Sequence, residues 1–447
     1  MDNKTIYALS TVFGKSGVAV IRISGEHASD VIGLMTDIKI SEIKPRYAYF
    51  TDIKDSVSHE TLDKALLLYF KAPHSFTGED VIEIQCHGSH AVLSSVLASL
   101  SEIAGFRLAE AGEFSRRAFY NNKMDLTEAE GLADLIDAET SEQQKYAIRQ
   151  MEGGLKNLYD GWREELLKVY AYLEAYIDFP DEDIPETIKE SNLNTVFKLI
   201  KEIDEHLCNA NYGERMREGF RVVIAGPANA GKSSLLNAIV KRKAAIVSDI
   251  AGTTRDAVDV NLNIKGYPVI FTDTAGIRDA SDVIEQQGIE IAFDKIKDAD
   301  LVVALFDGSQ DTPDIFNKIK KDSENKLLFV ANKSDKLTFE QCSKLKDEDC
   351  FLISVKQNKG IEELINYIGN KIAQNFTSDS NVLITRARYR EALNECVENL
   401  RRFNFDKEIE LSAEDIRLAA RALGKITGRI EVDEILDKIF GSFCIGK

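Results

Sequence analysis

A chain of 447 residues is longer than one hydrophobic core supports and implies two or three domains. Its apolar fraction of 44% includes no stretch near the roughly 20 apolar residues that a membrane-spanning helix needs, so a soluble chain with no membrane span is expected. The net charge of -18 excludes a general phosphate-binding surface, and any RNA partner must meet a local patch.

The opening MDNKTIYALSTVFGKSG lacks the charged start, apolar run and cleavage site of a secretory signal, which predicts a cytoplasmic protein. Up to Phe119, short apolar runs such as Val18 to Ile23 and Ala65 to Phe70 alternate with Gly, Pro and Ser breaks. This is the pattern of a small α/β domain over 1–119. His74, His87 and His90 fall close together there, but no carboxylate or cysteine pattern makes them a metal set. The six cysteines are scattered without a CxxC, so neither disulfides nor structural zinc is expected.

From Leu126 the spacing becomes helical and stays so to the proline-bounded DFPDEDIP at Asp178 to Pro185; another helical stretch, Leu193 to Arg217, follows. Residues 120–216 are read as the first part of a helical domain and 375–447, after a polar linker at Asn375 to Asn381, as its second part. Neither part is large enough for a good core alone, which favours one helical domain interrupted by an inserted nucleotide domain at 217–374 over two separate modules. Arg417, Arg421, Lys425 and Arg429 recur at helical spacing; they fit a solvated face better than a phosphate-binding row.

The nucleotide domain begins with an apolar strand, Arg221 to Ala225, and then reads Gly226-Pro-Ala-Asn-Ala-Gly231-Lys232-Ser233 before a helix near Ser234. That is a P-loop in its required strand-loop-helix context. Its backbone amides and the helix N-terminus suit phosphate oxygens, Lys232 suits the β- and γ-phosphates, and Ser233 suits Mg²⁺. After the strand Val269 to Thr272 comes Asp273-Thr274-Ala275-Gly276, where the aspartate holds magnesium through water and the Gly276 amide meets the γ-phosphate. Hydrolysis releases that amide, which makes the following segment a switch.

After the strand Leu327 to Ala331 comes Asn332-Lys333-Ser334-Asp335. A carboxylate at Asp335 accepts both donors of guanine's N1 and N2 edge, and adenine offers no such pair. Lys333 suits the base plane, and Ser354-Val355-Lys356 offers backbone N–H to the guanine oxygen. The expected GTP contacts are Asn229, Ala230, Gly231, Lys232, Ser233, Ser234, the first switch (Ser248, Asp249, Ile250, Ala251, Gly252, Thr253, Thr254), Asp273, Thr274, Ala275, Gly276, Asn332, Lys333, Asp335, Ser354, Val355 and Lys356. Ile277 stands where many small GTPases place a water-orienting glutamine. Asn229 and the oxygens of Ser248 to Thr254 could cage a monovalent cation, although spacing alone fits Asn229 better as a brace of the loop turn.

These motifs, with Gly252-Thr253-Thr254-Arg255-Asp256 and the terminal Phe443-Cys444-Ile445-Gly446-Lys447, resemble the tRNA uridine-modification GTPase family called MnmE or TrmE. The resemblance spans the chain, through Val20 to Gly25, Phe76-Thr77-Gly78-Glu79-Asp80 and Gly112 to Phe119. It implies an α/β and α multidomain fold: an N-terminal folate-binding-like dimerisation domain, a helical domain and an inserted Ras-like P-loop GTPase domain. It also implies a homodimer and potassium-stimulated hydrolysis with K⁺ ligands at Asn229, Ser248, Ile250 and Thr253. Thr254 matches its switch magnesium ligand and Glu285 its water-positioning acid.

Arg22, Glu83, Lys123 and Lys447 match its contacts to 5-formyl- or methylene-tetrahydrofolate. Cys444 lies by resemblance near folate and base, as nucleophile, acid or neither. By itself the short glycine-containing tail is expected to be mobile until engaged. The partners implied are tRNA, modified at C5 of wobble uridine with an aminomethyl-type group, and the FAD-dependent protein MnmG. One departure is Pro227 directly after the first loop glycine, where the family has proline beside the asparagine. A rival reading is a non-modifying GTP switch that docks on ribosomal RNA or another assembly, with no use for a folate pocket.

Overall fold

Alternation of apolar and polar residues shapes the beginning of the chain. The computed structural model describes residues 4–179, 185–242, 259–273, 295–310, 326–374, 383–405, 408–430 and 433–446. Strands β1 (Thr5–Leu9), β2 (Ser16–Ser24), β3 (Ala48–Lys54), β4 (Thr61–Phe70), β5 (Val81–Gly88) and β6 (Phe106–Leu108) form one sheet in the order β3-β4-β5-β2-β1-β6. Its pairings are antiparallel except β1 with β6. In β2, buried Ala19, Ile21 and Ile23 alternate with half-buried Val20 and Arg22, the period of a pleated strand with one face in a core. Helices α1 (Asp30–Met35) and α2 (His90–Ser101) contribute Val31, Ile32, Leu93, Val96 and Leu100 to that core. Helix α3 (Glu113–Tyr120) adds Phe114 to a smaller cluster with Ile6, Ala8 and Ala109.

Helices α4 (Leu126–Ile136), α5 (Ser141–Met151), α6 (Gly154–Asp178), α7 (Glu186–Cys208) and α8 (Ala210–Glu218) follow. A second sheet then contains β7 (Phe220–Ala225), β8 (Asp259–Ile264), β9 (Tyr267–Asp273), β10 (Leu301–Asp307), β11 (Leu327–Asn332) and β12 (Phe351–Leu352), in the order β12-β11-β10-β7-β9-β8. It is parallel except for β8 beside β9. Helices α9 (Lys232–Arg242) and α11 (Ile361–Gln374) place Leu235, Ile239, Leu364 and Ile368 on one face. The other face is covered by Ile296 and Ala299, with Leu345 of α10 (Phe339–Asp347) packed against them. In such a doubly wound sheet, ligands bind outside the carboxyl ends of the strands. The loops after β7, β9 and β11 carry the three nucleotide motifs.

The chain ends in α12 (Ala387–Arg402), α13 (Ile409–Thr427) and α14 (Asp433–Gly441). Two compact units result: Met1–Ala133 with Met151–Lys168 and Ala420–Lys447, and Asp134–Gln150 with Val169–Ala419. In the first, Leu436, Ile439, Phe440 and Phe443 pack with Leu126 and Ala129. No helix among the described residues is long and apolar enough to cross a membrane.

Candidate nucleotide-binding site

Between β7 and α9 the loop turns through Asn229 at φ 63° and Gly231 at φ 98°. The left-handed region tolerates asparagine better than most side chains. At Gly231 glycine is required on space as well, since a Cβ would lie 2.5 Å from Asn332 Nδ2. The helix starts at Lys232 itself, earlier than its apolar spacing suggests. Buried Lys232 donates through Nζ to Gly226 O at 2.8 Å and Pro227 O at 3.0 Å, so its charge is held against the loop. Ser233 Oγ donates to Asp273 Oδ2 at 2.6 Å, bringing the P-loop serine to the carboxylate that ends β9. Two adjacent hard oxygens fit Mg²⁺, which prefers oxygen ligands and keeps several from phosphate and water.

The segment after β11 meets the same loop. Asn332 is buried; its Nδ2 donates to Ala230 O at 2.8 Å, and its Oδ1 accepts from Lys333 N at 2.8 Å and Val355 N at 3.1 Å. Lys333, left-handed at φ 62°, donates through Nζ to Asp307 Oδ2 at 2.7 Å. Burial raises the Asp307 carboxyl, but hydrogen bonds from Lys333 and Ser309 outweigh it and hold the group at about 2. Asp307 belongs to none of the three motifs; its place at the carboxyl end of an apolar strand beside β11 is the available signal.

Asp335 Oδ1 accepts from Ser354 Oγ at 2.5 Å, and this bond holds its carboxyl below the usual range. Ser354 is fully buried, and its N–H is donated to Lys359 O at 3.0 Å. The structure thus gathers Asn229 to Ser233, Asp273, Asn332, Lys333, Asp335, Ser354 and Val355 along one sheet edge. Residues 248–254, 274–276, Glu285 and Lys447 lie outside the described residues.

In the first unit, Arg22 and Glu83 face one another across β2 and β5, with Nε to Oε1 3.0 Å and Nη2 to Oε1 2.9 Å. The guanidinium sits 5.4 Å from the Phe76 ring centre and 5.8 Å from that of Phe114, a cation–π arrangement. Lys123 borders Gly78, where a Cβ would meet its Cε at 3.2 Å. A polar network that sequence spacing does not foretell ties the motif stretches together. Ser24 Oγ lies 2.7 Å from both Thr77 Oγ1 and Glu79 Oε2. Arg117, almost wholly buried, bonds Glu79 at 3.1 Å and Glu113 at 3.0 Å, while Arg107 grips Glu113 with two bonds of 2.7 Å.

The tail, expected to be mobile until engaged, is engaged by the chain's own backbone. Ile445 forms a β-bridge with Ala111, and Ser10 Oγ donates to Gly446 O at 3.1 Å. Gly446 is at φ 98°, and a Cβ there would lie 2.3 Å from Leu9 O. Backbone pairing, which side-chain spacing does not encode, fixes this segment and leaves Cys444 exposed. The arginine row is also no open phosphate face: Arg417 pairs with Glu414 at 2.6 Å and Arg429 with Asp160 at 2.5 Å. His87 pairs with Asp63 at 2.8 Å, and among the described residues no cluster of three or more His, Cys, Asp or Glu is placed to hold a metal ion.

The family description "MnmE helical domain" matches residues 126–444, and "GTP-binding protein TrmE N-terminus" matches 5–123. The chain belongs to the MnmE/TrmE family. It is 46% identical to the tRNA modification GTPase MnmE of Rickettsia bellii over 447 residues, 99% of this chain and 100% of the relative. The protein of that name from Paramagnetospirillum magneticum is 46% identical over 445 residues, covering both chains fully. A crystal structure of Aquifex aeolicus Era is 29% identical over 34% of this chain and 56% of its own, with a TM-score of 0.28.

Proposed function

We propose that this MnmE-family chain is a tRNA modification GTPase, in which GTP hydrolysis drives the conformational change that assists addition of an aminomethyl or carboxymethylaminomethyl group to C5 of wobble uridine. The observation that carries the GTPase reading is Asn332, which bonds the P-loop at Ala230 while holding the Lys333 and Val355 amides. Phosphate-facing and base-reading segments are thereby joined at one sheet edge. Asp335 accepts the guanine donors, and Lys232 moves from its loop carbonyls to the phosphates. Val355 N and Ser354 N are already used within the protein, which directs the guanine oxygen to the Lys356 amide. Magnesium, held by Ser233 and Thr254, would neutralise charge that develops on the phosphates.

Asn229, Ser248, Ile250 and Thr253 would hold potassium, whose positive charge would stabilise the charge that develops on the phosphates, and Glu285 would orient water. GTP turnover in KCl should exceed that in NaCl at matched ionic strength; equal rates remove the cation.

We assign 1–119 to a folate-binding and dimerisation domain, 120–216 and 375–447 to a helical domain, and 217–374 to the GTPase domain. Arg22, Glu83, Lys123 and Lys447 would hold a tetrahydrofolate, which supplies the one-carbon unit. The Arg22–Glu83 pair offers a cation and a carboxylate of the kind that meet a glutamate tail and a pterin edge. The chain works in the cytoplasm as a homodimer with MnmG on tRNA. The deciding experiment is nucleoside analysis of wobble uridines in tRNA from a deletion strain. Normal modification there overturns the reading, and restored modification by the wild-type gene but not by Cys444→Ser, with GTP turnover kept, places Cys444 in the reaction.

A further inference from the structure

We propose that Asp134 is a positioning residue that couples the nucleotide-binding sheet to the helices through which the chain enters and leaves it; this rests on the reading that GTP turnover drives tRNA modification. The chain enters the sheet from α8 and leaves at Gln374, and from Leu383 it runs into α12. Asp134, near the end of α4, meets both passages. Its Oδ1 lies 3.2 Å from Arg217 Nε on the way in and 2.8 Å from Arg386 Nη2 on the way out. The carboxylate is only 15% exposed, so its charge is weakly screened.

Further contacts bring the passages together and tie them to the sheet. A Cβ on Gly213 would lie 2.2 Å from Ile384 O, so the two backbones touch, and Glu214 pairs with Arg390 at 3.1 Å. Arg215 holds Asp300 at 2.9 Å where β10 begins. Gly266 O, in the turn between β8 and β9, accepts from Glu142 N at 3.1 Å. A single carboxylate oxygen serves both guanidiniums, so loss of its charge weakens both contacts together. With the anion present both cations are drawn to one point, and without it they repel across the same gap. A cavity of about 200 Å³ lined by Asp134, Gln143, Tyr146, Gln150 and Thr385 leaves these side chains space for a second arrangement. A packed element with two discrete arrangements is what transmits a change between sites.

The test uses nitroxide labels on Cys208, at the end of α7, and Cys342, in α10, in full-length Cys444→Ser protein diluted with unlabelled protein. Cys86, Cys350 and Cys396 are buried and stay unlabelled. Pulsed dipolar spectroscopy should give one narrow distance distribution, broadened about two-fold by Asp134→Asn and preserved by Asp134→Glu. With Cys444 intact, Asp134→Asn should keep GTP turnover within about three-fold while modified uridine per GTP hydrolysed falls about ten-fold, and Asp134→Glu should restore it. An unchanged distribution or an unchanged ratio overturns the proposal. If Asp134→Asn fails to fold, the double variant Arg217→Met with Arg386→Met removes the clamp from its cationic side and is read in the same two ways. A parent protein that modifies no uridine defeats the tRNA reading instead, and the label distances still decide the clamp.

Discussion

Ser233 Oγ lies 2.6 Å from Asp273 Oδ2, so a single hydrogen bond ties the first turn of the phosphate-facing helix to the end of β9. The same two oxygens are the described groups best placed to serve magnesium. Ser233→Ala should lower GTP turnover about 100-fold, the usual scale for losing one electrostatic contact at a transferring group. Phosphate release measured against magnesium concentration checks it, and the midpoint should move to higher magnesium. Unaltered turnover would remove Ser233 from the site.

Asp335 is held by Ser354 with its carboxyl below the usual range, so it is an ionised acceptor at neutral pH. Asp335→Asn replaces one acceptor oxygen by an amide donor. Guanine, which presents donors there, should bind about 100-fold more weakly, and xanthine, with a carbonyl at C2, should bind better than guanine. Calorimetry with GDP and XDP reads both changes; unchanged guanine preference contradicts the assignment.

Gly112 sits at φ 65°, and a Cβ there would come within 2.3 Å of Phe440 O. Backbone against backbone leaves no flexible side chain to yield. Gly112→Ala should cost about 2 kcal/mol or more in urea unfolding, combining left-handed strain with overpacking. Gly161→Ala, with open space at its Cβ in a helix interior, should be neutral or stabilising by under about 1 kcal/mol.

Burial pushes the His206 imidazole down to about 4. The folded protein then binds fewer protons than the unfolded chain between about 4 and the ordinary 6.5. This contribution to stability is complete above 6.5 and is lost as pH falls through that window, about 3 kcal/mol in all. Asp125 has the opposite sign: burial raises its carboxyl to about 6 against hydrogen bonds from Glu128 and Thr127, so its contribution weakens the fold as pH rises from about 4 to 6. The unfolding free energy from urea titrations should rise more steeply from pH 4 to 7 in Asp125→Asn than in the parent, where the two contributions nearly cancel, and should fall over that range in His206→Gln. Parallel curves for all three proteins would refute both assignments.

The nucleotide motifs are legible because each is a short run at a strand end, where residue type, order and spacing carry the chemistry. Strand limits are less so: β11 includes Asn332 because that residue pairs with Asp307 of β10, a fact of register rather than composition. The Asp307–Lys333 bond joins residues 26 apart, and the Glu79–Arg117 bond joins residues 38 apart. Nothing in either local sequence announces its partner. The tail escapes for another reason: it is held by main-chain groups and a glycine fit at Leu9, which side-chain chemistry does not advertise. The arginine row shows its solvated character in its spacing, but its neutralisation by Glu414 and Asp160 depends on helical proximity and packing.

Asn332 spends its amide on Ala230 and its carbonyl on Lys333 and Val355. A phosphate mimic at one end and a bare nucleobase at the other would therefore each press on the same side chain. A ligand that distorts either end deforms the receptor presented to the other, and fragments chosen separately for the two ends will not have additive affinities when joined.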